Sequence, residues 1–394
     1  MDLLLVGSAD SIFFEHYCKN LKLQKPDIKI DIFSVSDIAG RYDLSSCDNV
    51  FVSSWNKTFF RKIKGVRTII KPFYSWFSLY SYLRKKNKKY DIIHFKWLVP
   101  EVVLFPTIIS KYSRKSIATF WGAEQNTQKI FYSSFIYRLF LKKFLDKKNA
   151  ITYTSQDKYK EELEIINKPD KLYYARYGSS IYSEIETLIA TTSKNKCKES
   201  LGFDPKKITI SIGYSGKELH QHIKIINILF QDPEFTKNKD KFLFILPLNY
   251  GCTLSYIDKV EALIKSYNGS YRLLTQKMTD TEMAHLRNAT DIMIQLSLSD
   301  ALSASIIETF LAGAILISGK WLPYKEFKNK HLYYYELNDI DSSLPKLILK
   351  ICKNINEELK KCQHNKDKWE FDTWEKVIKN WIDIYDALLK ETPA

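Results

Sequence analysis

Short apolar runs alternate with longer amphipathic stretches along most of this 394-residue chain. Apolar runs of about four to eight residues are typical of buried strands, and apolar positions three or four residues apart are typical of helices. Their alternation predicts α/β architecture with parallel sheets. The predicted strands cover residues 3–7, 28–33, 49–54, 67–70, 91–95, 116–122 and 150–154, and then 207–213, 241–247, 271–275, 291–296, 314–318 and 332–337.

The strand pattern starts again after a polar stretch rich in Ser, Thr and Lys near residues 190–205. One hydrophobic core rarely extends beyond about 250–300 residues, so two domains are expected. We predict two Rossmann-like domains, an N-terminal one over 1–185 and a C-terminal one over 186–371. Residues 372–394 carry apolar side chains at helical spacing, and this helix is expected to pack back on the first domain, near the junction.

The positive charge is concentrated in the first part of the chain. Residues 1–150 hold 26 Lys and Arg against 12 Asp and Glu, whereas the remainder holds 34 against 33. This asymmetry indicates a polyanionic partner, unless a Lys-rich coding bias inflates the surface charge. Segments 55–65, 76–90 and 129–148 interleave aromatic with basic residues, which favours an anionic membrane surface. Without a nucleic-acid-binding signature beside the charge, a nucleic acid is not the expected partner.

Compartment and redox state follow from what the sequence does not contain. No apolar run approaches the ~20 residues of a membrane-spanning helix, and the first residues lack the basic region of a signal peptide. The six cysteines are scattered without C-x-x-C spacing, which favours reduced thiols over disulfides or a zinc site. We expect a cytoplasmic protein, peripheral on the inner face of the cell membrane.

Two carboxylates, Asp300 and Glu308, open a predicted helix that ends on Ala-Gly before a buried strand. The N-terminus of a helix offers unpaired N–H groups to a diphosphate, and nearby carboxylates accept hydrogen bonds from sugar hydroxyls. Ser303, Ala304 and Ser305 between them are small, so a phosphate can approach the backbone closely. This pattern predicts a nucleotide-sugar site, although two surface carboxylates would give the same spacing.

A second candidate phosphate site follows the strand at 207–213. Gly213, Ser215 and Gly216 form an N–H-rich turn beside Lys217. The pattern is not a full dinucleotide fingerprint, so a nicotinamide enzyme is not expected; an ordinary strand-to-helix turn is the alternative.

His220 and His222 lack further ligand-type neighbours in the sequence, so no metal site is expected. Two acids in the first half follow predicted strands, Asp10 after strand 3–7 and Glu124 after strand 116–122. Each has two interpretations: a base or hydrogen-bond acceptor for an acceptor hydroxyl, or an acid that stabilises a helix N-terminus.

Several segments together resemble a known family. In order, they are residues 6–10, 120–124, 172–185, 208–226, 244–260 and 273–291. The chain resembles GT-B glycosyltransferases, most closely the bacterial 4-acetamido-4,6-dideoxygalactose (TDP-Fuc4NAc) lipid II transferases of enterobacterial common antigen assembly. The likeness spans most of the chain, and the segment ending at His222 is its most distinctive element.

The paired acids resemble a different group, the retaining glycosyltransferase family 4, with Asp300 in place of the usual first Glu. That resemblance implies that Asp300 binds the donor sugar and Glu308 the donor ribose. Tyr214 and Gln221 stand near the places where that family has Arg and Lys, and Lys217 is expected to substitute for them. Lys277 is expected near the base or the phosphates.

The resemblances imply a GT-B fold of two Rossmann-like domains facing across a cleft. The second domain is expected to hold a nucleoside diphosphate sugar and the first a lipid-linked saccharide, for hexosyl transfer in O-antigen, capsule or common antigen synthesis. Neither a metal ion nor a further cofactor is expected. Alternatives are transfer to a protein or soluble acceptor, a non-catalytic GT-B-like subunit that docks on membrane or partner, and a nucleic-acid-binding protein.

Overall fold

The computed structural model describes residues 1–38, 40, 42–53, 55, 66–96, 98, 100–103, 111–120, 135–154, 169–300 and 302–390. The chain forms two compact units, Met1–Gly178 with Asp372–Ala394, and Ser179–Phe371. Residue 185, where the sequence placed the boundary, lies inside a helix of the second unit.

Each unit is built on one parallel sheet. The first sheet has the strand order β3-β2-β1-β4-β5-β6-β7, and the second has β10-β9-β8-β11-β12-β13. The strands are β1 Asp2–Gly7, β2 Lys29–Ser34, β3 Asn49–Val52, β4 Tyr90–Phe95, β5 Ser113–Phe120, β6 Ala150–Tyr153, β7 Leu172–Tyr174, β8 Ile208–Ile212, β9 Phe242–Pro247, β10 Tyr271–Leu274, β11 Ile292–Gln295, β12 Ile315–Gly319 and β13 Tyr335–Leu337.

Helices connect the strands and cover both sheets. Short 3-10 turns lie at Pro169–Lys171, Glu218–His220 and Lys239–Lys241. The α-helices are α1 Ile12–Gln24, α2 Val66–Lys86, α3 Pro100–Val103, α4 Phe135–Asp146, α5 Ile181–Thr191, α6 Lys194–Ser200, α7 His222–Gln231, α8 Pro233–Lys237, α9 Leu254–Ser266, α10 Asp280–Ala289, α11 Ala304–Leu311, α12 Lys325–Asn329, α13 Ser343–Lys353, α14 Ile355–Gln363, α15 Asn365–Lys368 and α16 Trp374–Lys390. None of these described helices is long and apolar enough to cross a membrane.

The structure corrects the strand prediction in two places. Residues 67–70, predicted as a strand, form the start of the 21-residue helix α2. The β-branched residues before Pro72 have low helix propensity, but the amphipathic helix that continues to Lys86 overrides this local preference. The short strand β7, Leu172–Tyr174, was missed because three half-buried residues give too short a pattern.

The first unit has a separate hydrophobic layer on each face of its sheet. Helices α2, α3 and α4 share one core cluster with β4 residues such as Phe95. Helices α1 and α16 share the other cluster, in which Trp381 is fully buried. The Tyr385 hydroxyl of α16 lies 2.6 Å from the Tyr17 hydroxyl of α1 and 2.6 Å from His94 Nδ1 of β4. The last described helix is therefore an integral layer of the first unit.

Strand order reverses between β1 and β4 in the first unit and between β8 and β11 in the second. In open α/β sheets, ligands bind outside the carboxyl ends of the strands at such a switch point. In the second unit, the segments that follow β8 and β11 contain the predicted phosphate turn and Asp300.

Candidate functional site

The turn after β8 is held by close packing around glycine. Gly213 has φ +65°, and a Cβ atom there would lie 2.9 Å from Cγ of His220. The fully buried Ser215 has its Oγ 3.0 Å from His220 Nε2. The Gly216 N–H donates to the Tyr250 carbonyl at 2.9 Å, so the turn is also fixed to the loop after β9. The turn therefore packs closely around the His220 ring, and its positive φ and lack of space at position 213 require glycine there.

The two histidines of this segment have structural partners. Burial lowers the pKa of His220 to about 3 and that of His222 to about 4, so both rings are neutral at physiological pH. His222 Nδ1 lies 3.1 Å from the Tyr256 hydroxyl. Within the described ranges no group of three or more His, Cys, Asp or Glu side chains is arranged to hold a metal ion.

Asp300 is a buried carboxylate with a fixed orientation. The Tyr214 hydroxyl donates to Oδ1 at 3.0 Å, and the Tyr324 hydroxyl donates to Oδ2. The Ser303 N–H, at the start of α11, donates to Oδ2 at 3.3 Å. Burial, and then the negative charge of Asp300, raise the pKa of both tyrosines, which keeps them as hydrogen-bond donors. Leu302 has φ 72°, a strained left-handed conformation beside this carboxylate.

Glu308 lies on α11 and is held by a residue of another helix that the sequence did not indicate. Arg287 Nε of α10 donates to Glu308 Oε2 at 2.8 Å, and both side chains are less than one-tenth exposed. Arg287 Nη2 also donates to Ser305 Oγ at 2.9 Å. A salt bridge between residues 21 positions apart depends on how α10 packs near α11, and no local sequence pattern predicts it.

The remaining predicted residues of the second unit differ in their relation to this site. Lys217 is exposed, and its aliphatic carbons lie over Gly251. Ala304 is exposed at the first position of α11. Lys277 is also exposed and follows β10, an edge strand two places from β8 in the sheet. The structure therefore groups Lys217 and Ala304 with the turn and α11, and it places Lys277 after the edge strand.

One further polar residue, Gln295, borders His220 and Tyr324. Gln295 ends β11 and is fully buried, and neither amide atom has a hydrogen bond of normal geometry to any residue that the structure describes. A buried Gln at the carboxyl end of a central strand is the signal that could have marked it in the sequence.

In the first unit, Asp10 lies between β1 and α1, at the carboxyl edge of the sheet. The N-cap of α1 is Ser11, whose side chain accepts from the Phe14 N–H at 3.4 Å. Asp10 therefore precedes the cap and does not form it. Glu124 lies outside the described residues.

Comparison with known proteins gives the fold. No family model matches the chain, and no curated protein sequence does either. A glycosyltransferase from Rickettsia africae is similar in structure, with a TM-score of 0.68, 16% identity, and coverage of 99% of this chain and 99% of that chain.

Two other solved structures are similar over comparable lengths. Anabaena HepE in complex with UDP has a TM-score of 0.70 at 12% identity, covering 98% of this chain and 100% of that chain. Sucrose-phosphate synthase from Thermosynechococcus elongatus has a TM-score of 0.73 at 11% identity, covering 98% and 99%. With its two parallel sheets and two Rossmann-like domains, this chain has the GT-B fold of these glycosyltransferases.

Proposed function

We propose that this protein is a glycosyltransferase that moves a sugar from a nucleoside diphosphate sugar to a lipid-linked saccharide, in the synthesis of a bacterial surface polysaccharide. The observation that carries the proposal is the fixed carboxylate of Asp300, which lies between the turn after β8 and the N-terminus of α11. The similarity in fold between this chain and HepE, whose structure contains UDP, supports a nucleotide-sugar donor.

The proposed mechanism uses Asp300 to orient donor sugar hydroxyls. The bond between the sugar C1 and the diphosphate oxygen breaks, and its electron pair goes to that oxygen. Lys217, which follows the turn over 213–216, and the amides of 302–305 stabilise the negative charge that develops there. Electrostatic stabilisation of this kind is usually the largest single contribution to catalysis. The acceptor hydroxyl forms the new bond to C1 and gives its proton to a base, for which Asp10 and Glu124 are the candidates.

The donor is tested by a thermal-shift panel of UDP-, GDP-, TDP- and CMP-sugars. A ligand that binds only the folded protein raises its apparent stability by mass action, so one nucleotide class should raise the melting temperature. No shift with any member of the panel would remove the proposal. Release of the free nucleoside diphosphate in the presence of a lipid extract then tests transfer.

A lipid-linked acceptor requires a surface that reaches the membrane. Phe73 and Phe77 of α2 are 52% and 63% exposed, and Leu139 and Phe140 of α4 are 45% and 36% exposed. Both helices pack on the same face of the first sheet, so these residues belong to one side of the unit. Exposed basic residues accompany them on the two helices: Arg84, Lys85, Lys86, Lys142 and Lys143.

This apolar and basic layer has the chemistry of a surface for anionic lipids, where each cation contributes about 1 kcal/mol. Flotation with vesicles tests it: binding should require anionic lipid and weaken with salt. Equal partitioning to neutral and anionic vesicles would count against an electrostatic dock.

A further inference from the structure

Arg287 is a buried cation at the candidate donor site. It lies in the last turn of α10, and its side chain is only 5% exposed. Burying a guanidinium is unfavourable unless partners compensate for its lost hydration. Glu308 and Ser305 are those partners, and both lie on α11.

Glu308 and Ser305 fix the plane of the guanidinium, but they use only some of its N–H donors. Arginine has five N–H groups. Its Nε and Nη2 atoms make the hydrogen bonds to Glu308 and Ser305, and within residues 169–300 and 302–390 the structure shows no other for this side chain. The remaining N–H groups belong to the two terminal nitrogens, one of which lies against Ser305 in the first turn of α11. That place is where the proposed mechanism puts the donor diphosphate.

Tyr250 shows that several elements converge on the same point. The residue is 50% exposed, and the loss of hydration around its hydroxyl raises the pKa to about 12. The charge of Arg287 lowers the pKa of this hydroxyl, the charges of Glu308 and Asp300 raise it, and Ser215 lies near it. The turn after β8, the loop after β11, α10 and α11 therefore all present polar groups to one small region.

We propose that Arg287 binds the diphosphate of the donor and that Glu308 is a positioning residue that holds Arg287. This inference rests on the proposed function and changes the role that resemblance gives to Glu308, which is contact with the donor ribose. Its Oε2 atom is already engaged by Arg287. The chain has Tyr214 and Gln221 where the resembled family has Arg and Lys, and Arg287 supplies a cation from another helix.

A series of ligands with zero, one and two phosphates distinguishes a role of Glu308 in holding Arg287 from direct contact with the donor ribose. Binding of uridine, UMP and UDP, and of the thymidine and guanosine series, is measured by calorimetry on the full chain. Arg287→Gln should weaken binding of the preferred diphosphate about 10- to 100-fold and leave the nucleoside within about twofold. Glu308→Gln should give the same profile, because it acts through Arg287. The double variant should bind the diphosphate no more weakly than Arg287→Gln alone.

Two results would overturn the assignment. One is diphosphate binding by Arg287→Gln equal to wild type; the other is a loss of nucleoside affinity in Glu308→Gln, which would indicate a ribose contact. If the wild type bound none of the nucleoside diphosphates, the proposed function and this inference would both fail.

Controls separate binding from folding. Each single variant leaves one buried charge without its partner, so either can be destabilised. The double variant Arg287→Gln with Glu308→Gln removes both charges, and it should keep a cooperative thermal transition while losing diphosphate affinity. Lys224→Gln removes an equal charge from an exposed ion pair with Asp339 in the same unit, and it should bind the diphosphate like wild type. Affinity retained by a folded double variant would also overturn the assignment.

Discussion

At the residue scale, the site depends on polar groups whose partners come from distant parts of the chain. Asp300 was recognisable from its place before a helix, but its tyrosine partners are 86 and 24 residues away. Arg287 was not recognisable, since a basic residue near the end of an amphipathic helix is usually solvated. Local sequence patterns thus identified the acidic residues and glycines of the site, whereas their hydrogen-bond partners depend on tertiary packing.

Asp300→Asn should reduce transfer activity at least about tenfold, equivalent to about 1.4 kcal/mol of transition-state stabilisation. The amide keeps the shape of the carboxylate but has only one acceptor oxygen. Its NH2 group cannot accept the hydrogen bond that a tyrosine or sugar hydroxyl donates to the carboxylate. Steady-state kinetics with the donor found in the thermal-shift panel measures the effect. Asp339→Asn, at an exposed carboxylate of the same unit, is the control and should leave the kinetics unchanged. Near-normal turnover in Asp300→Asn would remove Asp300 from the mechanism.

The buried histidines predict a pH dependence of stability. The pKa of His222 is about 4 in the folded protein against 6.5 for the free side chain, so below pH 6.5 the unfolded chain binds more protons. The contribution of neutral His222 to the free energy of unfolding is fully present above about pH 6.5, and it is lost as the pH falls toward about 4. His222→Gln should flatten this loss by up to about 1.4 kcal/mol per pH unit. Urea denaturation at several pH values measures it, and parallel curves for variant and wild type would refute the burial argument.

At the element scale, the turn after β8 makes more tertiary contacts than its glycine pattern indicates. The sequence predicted an N–H-rich phosphate turn, whereas the structure shows a turn packed on His220 and on the loop after β9, with the Gly216 N–H donated to the Tyr250 carbonyl. The strand predictions were accurate for long, buried runs such as β9, because continuous apolar residues specify a central parallel strand. They failed at 67–70, where helix and strand patterns overlap.

Gly213→Ala tests the packing of the turn against a matched control. Gly213 and Gly202 have nearly equal positive φ values, +65° and +68°. A Cβ at Gly202 meets nothing within 4 Å, whereas one at Gly213 meets the His220 ring. Both alanines carry the backbone strain, but only Gly213→Ala adds a steric clash, so it should lose about 1–3 kcal/mol more stability. Equal losses, measured by denaturation, would show that the His220 contact does not constrain the turn.

At the scale of the whole molecule, the first unit carries the excess charge and the exposed apolar residues of α2 and α4, and the second carries the candidate donor site. The charge asymmetry was visible in composition. The common side of α2 and α4 was not, because it depends on which sheet face each helix covers.

Phe73→Ser with Phe77→Ser should lower binding to anionic vesicles at least about fivefold, since two exposed aromatic rings no longer enter the lipid interface. Leu254→Ser removes a side chain that is 79% exposed in the second unit, and it should not change flotation. Equal losses in the two proteins would indicate non-specific adsorption.

Hydrogen–deuterium exchange with saturating UDP, TDP and GDP in turn tests the central claim most directly, which is that the second unit holds a nucleoside diphosphate between the turn after β8 and α11. The account predicts that one of these nucleotides slows exchange at residues 213–217 and 302–311. Protection confined to the first unit, with these two segments unchanged, would contradict it.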